Sequence, residues 1–421
     1  MQTNLTDLIK NSSDGQEAEA IIRNCVHCGF CLSACPTYQL LGDELDSPRG
    51  RIYLIKQVLE GQPVTDKTQL HLDRCLTCLA CETVCPSGVR YGRLLDIGRN
   101  IVEKQVGRKL IAGTKRYTLR QVLSKTSTLK LLLKLGRFLR PLLPKKLKNS
   151  VPSKIKNAGA WPSEKHTRKM LILNGCVQSV LAPNINSATA RVLDRFGISL
   201  IQAENESCCG AVSYHLGAQQ EGLGYMRRNV DAWWPYIKNE TKQKVEAIII
   251  TASGCGVTVK EYGHLLKHDP VYAEKAACIS GMARDISEII NAENNMAIIL
   301  YNKPTPGNKK TRLSFHSPCT LQHGLQINGI VEKIMAAADF DLIVPQDSHL
   351  CCGAAGTYSI LQPQLSQQLL RNKIVALESD DLSQIVTANI GCLIHLRGVA
   401  AVPVKHWIEM LDEKLHHSIN V

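Results

Sequence analysis

Two cysteine runs constrain this chain more than anything else in it. The first reads Cys25-Val26-His27-Cys28-Gly29-Phe30-Cys31-Leu32-Ser33-Ala34-Cys35-Pro36, and the second Cys75-Leu76-Thr77-Cys78-Leu79-Ala80-Cys81-Glu82-Thr83-Val84-Cys85-Pro86. Each is C-x2-C-x2-C-x3-C-P. With this spacing three thiolates wrap three corners of a [4Fe–4S] cubane, while the fourth, next to proline, reaches a second cubane. The sequence therefore predicts two [4Fe–4S] clusters, one on Cys25, Cys28, Cys31 and Cys85 and the other on Cys75, Cys78, Cys81 and Cys35. Such crossing requires the 39 residues between Cys35 and Cys75 to fold back as a helical hairpin. Within them, Arg49 to Leu59 carries apolar residues at helical spacing, with Gly61 as its stop. Zinc is a poor alternative, because four-ligand sites need no such regularity. His27 reads as a loop residue that tunes its surroundings, not as a ligand.

The chain has 421 residues and 17 cysteines. The start Met1-Gln2-Thr3-Asn4 is polar and does not resemble a secretory leader. A reducing cytoplasm is expected, where clustered thiols mean metal or redox chemistry. No apolar run of about 18 residues predicts a membrane span. The formal charge of +13 is uneven: residues 104–163 hold sixteen Lys and Arg and no acid, so the remainder sums to −3. Inside that segment, Leu129 to Leu143 reads as an amphipathic helix. Lys130, Lys134 and Arg137 share one face, Leu131, Leu135, Phe138 and Leu142 lie elsewhere around it, and Pro141 and Pro144 disrupt its end. Two readings stand for this helix. It lies on an anionic inner-membrane surface, or it packs between domains. Nucleic acid is set aside as a partner, because aromatic stacking platforms are scarce nearby.

The rest of the chain repeats itself. One copy carries Cys176, Cys208-Cys209-Gly210 and Cys255; the other carries Cys319, Cys351-Cys352-Gly353 and Cys392. The first two elements are 32 residues apart in both copies, with an offset of 143 between copies that becomes 137 at the last cysteine. Such matching marks a structural repeat. Each cysteine follows a β-prone run: Met170 to Leu173, Ile198 to Ile201 and Ala247 to Thr251, then Leu313 to Phe315, Leu342 to Val344 and Ile385 to Thr387. Helical stretches such as Asn184 to Phe196 and Ile327 to Ala338 alternate with them, which predicts parallel α/β layers with the cysteines beyond the strand ends. Neighbouring thiols followed by glycine fit a multinuclear cluster better than a single tetrahedral ion. Zinc, a vicinal disulfide and a metal-free relic compete with that reading; an iron–sulfur cluster ranks first, the relic second and zinc third. His316, His349 and His395 stand near these cysteines in orienting positions. Cys278, left over, reads as a structural thiol.

The segment from Cys25 through Thr37-Tyr38-Gln39-Leu40-Leu41-Gly42-Asp43-Glu44-Leu45-Asp46-Ser47-Pro48-Arg49-Gly50-Arg51, together with Leu72-Asp73-Arg74-Cys75 through Pro86-Ser87-Gly88-Val89-Arg90-Tyr91, resembles the iron–sulfur subunits of bacterial glycolate oxidases. The repeats resemble the CCG domains of heterodisulfide reductases, found also in anaerobic glycerol-3-phosphate dehydrogenase subunits and lactate-utilisation proteins. The resemblance implies that FAD-containing partner subunits oxidise glycolate to glyoxylate, and that this chain relays the electrons towards a membrane quinone from a peripheral place on the inner membrane. The best studied CCG domains end in C-x2-C, five cysteines for a noncubane [4Fe–4S] cluster; here each copy ends in one. No G-x-G-x-x-G opens a helix, so no flavin or nicotinamide site is expected in this chain. The alternatives are an electron-transfer subunit of a related lactate or glycerol-3-phosphate dehydrogenase, and a disulfide reductase in its own right. The expected architecture is multidomain, α and α/β. It comprises a helical dicluster ferredoxin-type domain over 1–103, a basic linker with its helix over 104–165, and two tandem α/β CCG repeats over 166–305 and 306–421.

Overall fold

The computed structural model describes residues 1–142, 157–238, 244–294, 310–379 and 381–417, with residues 144, 152, 155, 240, 296 and 300. The end of the expected basic helix at Leu143, positions 145–151, 153, 154 and 156 of the linker beyond it, and most of the junction between the repeats lie outside the described residues.

The N-terminal part is helical. Its lead-in forms two helices, α1 (Asp7–Lys10) and α2 (Ser13–Asn24). Ser12 caps α2 by accepting from Gly15 N at 3.0 Å, and Ala18, Ile21 and Ile22 are buried on one face. The cysteine loops run into the single turns α3 (Phe30–Ser33) and, after Cys35, α4 (Pro36–Leu41). Then come α5 (Pro48–Leu59) and α6 (Asp66–Asp73), followed by α7 (Ala80–Thr83) in the second loop and α8 (Tyr91–Val106). Ser47 caps α5 and Pro48 takes its first turn, where a missing N–H costs nothing. Ile52, Ile55, Leu94, Leu95 and Ile97 form the middle of this part's core. Gly98 lets α8 approach α5 closely: a Cβ there would sit 2.6 Å from Ile55.

The basic segment is more structured than a linker. It forms a hairpin of α9 (Leu110–Leu123) and α10 (Thr126–Phe138), and several of its cations pair with acids of the fold. Arg108 and Arg116 both pair with Asp73, Lys109 with Asp66, and Arg120 lies 3.8 Å from Glu221.

Two four-stranded parallel sheets follow. β1 (Arg168–Ile172), β2 (Ile198–Ile201), β3 (Ile248–Ile250) and β4 (Ala283–Asp285) lie in the order β2-β1-β3-β4. β5 (Arg312–His316), β6 (Asp341–Ile343), β7 (Gln384–Thr387) and β8 (Val404–His406) lie in the same order, β6-β5-β7-β8. The expected strands all appear; β4 and β8 do not announce themselves, being three residues each with a charged centre. The helix Asn184–Asp194 of the first repeat packs on Trp407–His417 of the second, fastened by Arg191 to Asp412 at 2.6 Å and Asn184 to Glu409 at 2.8 Å. One apolar core runs through both sheets, from Ile172 and Ile249 to Phe315 and Val386.

Candidate metal centre

Both N-terminal cysteine loops make the same turn. His27 and Gly29 have φ of 56° and 87°, and Thr77 and Leu79, fifty positions on, have 54° and 64°. Alternating left-handed residues turn successive backbone N–H groups inward, the concavity that suits anions and iron–sulfur clusters. Thr77 N lies 3.4 Å from Cys75 Sγ, and Val89 N 3.5 Å from Cys85 Sγ. Cys25, Cys28, Cys31 and Cys85 line one pocket, open on one side, with Cys81, Arg49, Pro86 and Tyr91.

The chain between Cys35 and Cys75 does fold back, and Cys35 comes near enough to Cys78 and Cys81 for its charge to act on both thiols. Asp46 anchors the turn. Its fully buried carboxylate meets Arg51 at 3.2 Å, His71 at 3.2 Å and Arg74 at 2.7 Å. Its carbonyl accepts from Thr37 Oγ1 at 2.9 Å, and that hydroxyl lies 3.3 Å from Cys35 Sγ. Arg99 grips the carbonyls of Leu72 and Cys75 at 2.7 and 2.8 Å, holding the start of the second loop. Cysteine spacing did not reveal these residues. Asp46 and Arg51 fall inside the segment that carries the family resemblance, which is the one signal pointing to them.

In the repeats, the cysteines follow the C-terminal ends of three strands. Cys176 follows β1, Cys208 and Cys209 follow β2, and Cys255 follows β3; Cys319, Cys351 with Cys352, and Cys392 follow β5, β6 and β7 in the same way. β1 lies between β2 and β3, the chain going to one side of it and then crossing to the other, so these ends bound the crevice where open parallel sheets take ligands. Each set of four thiols converges. Cys176 and Cys208 Sγ are 3.4 Å apart, Cys319 and Cys351 Sγ 3.8 Å, and none of the cysteines forms a disulfide. The glycine after each pair is left-handed, φ 92° at Gly210 and 87° at Gly353, and a Cβ on either would press to 2.7 Å on the carbonyl of Gly222 or Ser366.

Burial pushes the Cys78 and Cys81 thiols well above the ordinary range, and neighbouring cysteines add to it. Hydrogen bonding from Cys176 and Cys209 holds Cys208 well below that range. Four ionised thiols cannot share such a pocket without a cation, and a metal deprotonates coordinating thiols outright. The donor sets therefore suit thiolate-bound metal.

The sites are contiguous. Cys78 faces both Cys319 and Cys351, and Tyr358, whose hydroxyl donates to Arg74 O at 3.0 Å, packs with them. On the first repeat, the buried Ser124 at the end of α9 turns its hydroxyl towards Cys208 without a hydrogen bond of ordinary geometry. Asn389 bridges the repeats, accepting from Gly254 N at 3.3 Å and reaching Cys392 Sγ at 3.5 Å.

The histidines divide. His27 is exposed in its loop. His395 Nε2 meets Ser366 Oγ at 3.1 Å, and Ser366 donates to Gly353 O, which steadies the Cys351-Cys352-Gly353 turn. His349 offers its carbonyl to His323 Nε2 at 2.9 Å. His316 is fully enclosed, and burial beside Lys373 lowers its pKa to about 3. Cys278, read from the sequence as a structural thiol, is exposed on the helix Ala273–Met282. On α10, Leu131, Leu135, Phe138 and Leu142 just beyond it are 67, 52, 82 and 83% exposed, while Leu129 is buried.

Comparison with known proteins agrees with this division. A 4Fe-4S dicluster domain model matches residues 21–89, and a cysteine-rich domain model matches residues 170–260 and 313–397. The chain is 52% identical over 415 residues to the glycolate oxidase iron-sulfur subunit of Escherichia coli (strain K12), covering 99% of each. It is 31% identical to a probable glycolate oxidase iron-sulfur subunit of Bacillus subtilis (strain 168), across 92% of this chain and 91% of that one. Lactate utilization protein A of the same organism is 23% identical, over 58% of this chain and the whole of its own length.

Proposed function

The chain belongs to the family of glycolate oxidase iron–sulfur subunits, and from that membership we propose that it is the electron-relay subunit of a glycolate-oxidising complex. In this reading FAD-containing partner subunits convert glycolate to glyoxylate, and this chain conducts the electrons towards a quinone at the inner-membrane surface. Its iron–sulfur electron-transfer role follows from the family; the partners, the acceptor and the cluster positions are the proposal.

The observation that carries it is the placement of Cys78 in one buried cluster with Cys351 and Cys319, which sets the second N-terminal cysteine loop beside the second repeat. Bound clusters supply one-electron chemistry. Cys25, Cys28, Cys31 and Cys85 hold the first, Cys75, Cys78, Cys81 and Cys35 the second. The sets Cys176, Cys208, Cys209, Cys255 and Cys319, Cys351, Cys352, Cys392 hold further ones. Arg51, 1% exposed and facing Cys35 and Cys75, offsets thiolate charge there. The backbone N–H groups of Thr77 and Val89, beside Cys75 and Cys85, orient those sulfurs. Among the described residues no helix is long and apolar enough to cross a membrane. The exposed leucines and Phe138 of α10, beside Lys130 and Lys134, are the surface assigned to the bilayer.

The test rebuilds the complex with its FAD-containing subunits. Cys78→Ser should leave glycolate oxidation with a flavin-coupled dye intact and abolish quinone reduction. Quinone reduction at the parent's rate would remove Cys78 from the path and sink the relay.

A further inference from the structure

The repeats share strand order and cysteine placement, yet one position at the mouth of the crevice differs in kind. The offset of 143 sets His316 of the second repeat on Leu173 of the first. His316 is the last residue of β5 and 2% exposed. Its Nδ1 lies 3.0 Å from Thr387 Oγ1 on the adjacent β7, while its Nε2 is buried without a hydrogen-bond partner. A ring nitrogen of the same imidazole, Cys352 Sγ and Cys392 Sγ all lie within 4.8 Å of one another. A buried polar nitrogen left unpaired is costly, and native proteins rarely leave one so without a reason.

We propose that His316 Nε2 is a metal ligand of the second repeat, giving it a mixed nitrogen–sulfur donor set with Cys319, Cys351, Cys352 and Cys392, while the first repeat remains all-thiolate. This rests on the reading that the second repeat holds an iron–sulfur cluster. Three features carry it. The imidazole stands within 4.8 Å of two of the four thiols, Cys352 and Cys392. Thr387 Oγ1 engages Nδ1 at 3.0 Å, and in the tautomer that donates from Nδ1 the lone pair lies on Nε2; a ligating histidine ordinarily has its other nitrogen fixed in this way. This repeat, like the first, ends in a single cysteine, Cys392, so a fifth donor has to come from outside the cysteine pattern. Leu173 can donate nothing, so the asymmetry is built into the chain. Replacing thiolate by imidazole raises the potential of an iron–sulfur centre, so the second repeat is set to a higher potential than an all-cysteine set in the same surroundings.

The test uses holoprotein purified anaerobically from cells grown with and without [15N]histidine, and reads iron content, pulsed EPR of the reduced state and midpoint potentials. The parent should show a strong imidazole-nitrogen coupling that changes on labelling. His316→Leu, which copies the first repeat, should lose it. His316→Cys should also lose it, keep the parent's iron content and shift one midpoint potential downward. Because a cysteine can take over the ligand role, that variant keeps the test decisive if His316→Leu sheds metal. A parent with no such coupling, or a coupling that survives in His316→Cys, overturns the ligand. Cys352→Ser separates the two levels: a parent whose iron content is unmoved by it has no cluster in the second repeat, which overturns the cluster reading and the ligand together.

Discussion

The two cysteine-rich repeats have one strand order and two different coverings. The second is covered by the N-terminal cysteine loop, with Cys78 against Cys319 and Cys351 and Tyr358 between the elements. The first is covered by the α9–α10 hairpin, with Ser124 against Cys208 and the helix Gln178–Leu181 packed beneath α10. Their linings differ in step. Where the first has Leu173, Val230 and Thr258, the second has His316, Lys373 and His395. Lys373 is 3% exposed, donates to Asp347 O at 2.7 Å and faces Cys319, Cys351 and Cys352. Duplication supplied two crevices with the same thiols; what covers and lines each one distinguishes their tasks. In the proposed relay, the second repeat adjoins the incoming clusters and the first adjoins the membrane-facing hairpin.

The sharpest way to break this comparison is to empty one crevice at a time. Cys209→Ser and Cys351→Ser should each cost about four irons per chain, and the spectrum of the other repeat should persist. Loss of all repeat-bound iron from either single change would mean one shared site rather than two, and the contrast in lining would lose its meaning.

A second test compares the ends of the fourth strands. Asp285, closing β4, accepts from Ser287 N at 2.9 Å and caps the helix Ile286–Ala292; burial raises its carboxyl to about 6. His406, closing β8, accepts from Ile408 N through Nδ1 at 3.3 Å. Its Nε2–H donates across the repeats to Thr251 O at 2.9 Å. Burial lowers its pKa to about 4, with Glu409 opposing that and Arg397 adding to it. Between that value and about 6.5 the unfolded chain binds the extra proton, so His406 stabilises the fold above this window and loses its contribution as pH falls through it. Asp285 acts in the opposite sense, its contribution fading as pH rises from about 4 towards 6. From pH 7.5 to 5, His406 should account for about 2 kcal/mol of lost stability. Chemical unfolding of the holoprotein should show a flatter acid limb for His406→Gln by that amount. Parallel curves for variant and parent would show that β8 ends without a titrating cap.

Much of this arrangement could be read in the chain beforehand, for identifiable reasons. Strands such as Ile198–Ile201 and Gln384–Thr387 are buried, apolar and β-branched, so each stands out just before its cysteines. The fold-back that carries Cys35 towards the second cysteine loop is what cluster chemistry leads one to expect. The rest depends on contacts distant in sequence. Ala-Arg-Asp at β4 and Val-Lys-His at β8 are strands only because β3 and β7 offer them free edges. Helix α9 looks like linker because its arginines find their acids elsewhere, Arg116 on Asp73 and Arg120 on Glu221. A lysine such as Lys373 is read as a surface residue until the fold encloses it beside three thiols, whose negative charge offsets the burial. The unpaired Nε2 of His316 appears only once Thr387 has taken the other nitrogen.

The smallest expected effect concerns the hairpin over the first repeat. Arg108, Arg116 and Arg120 are spent on internal acids, so the charge offered outward by this segment is less than its sixteen cations suggest. Lys130 and Lys134 are exposed beside Leu131, Leu135 and Phe138. A cation near an anionic surface contributes about 1 kcal/mol, so Lys134→Gln should weaken binding to phosphatidylserine-containing vesicles roughly fivefold. Binding to neutral vesicles should be unchanged, and the difference should shrink in high salt as screening shortens the field. Equal affinity of parent and variant for anionic vesicles would leave α10 as a helix that packs on a partner protein. The first repeat would then differ from the second in which protein covers it, rather than in facing the membrane.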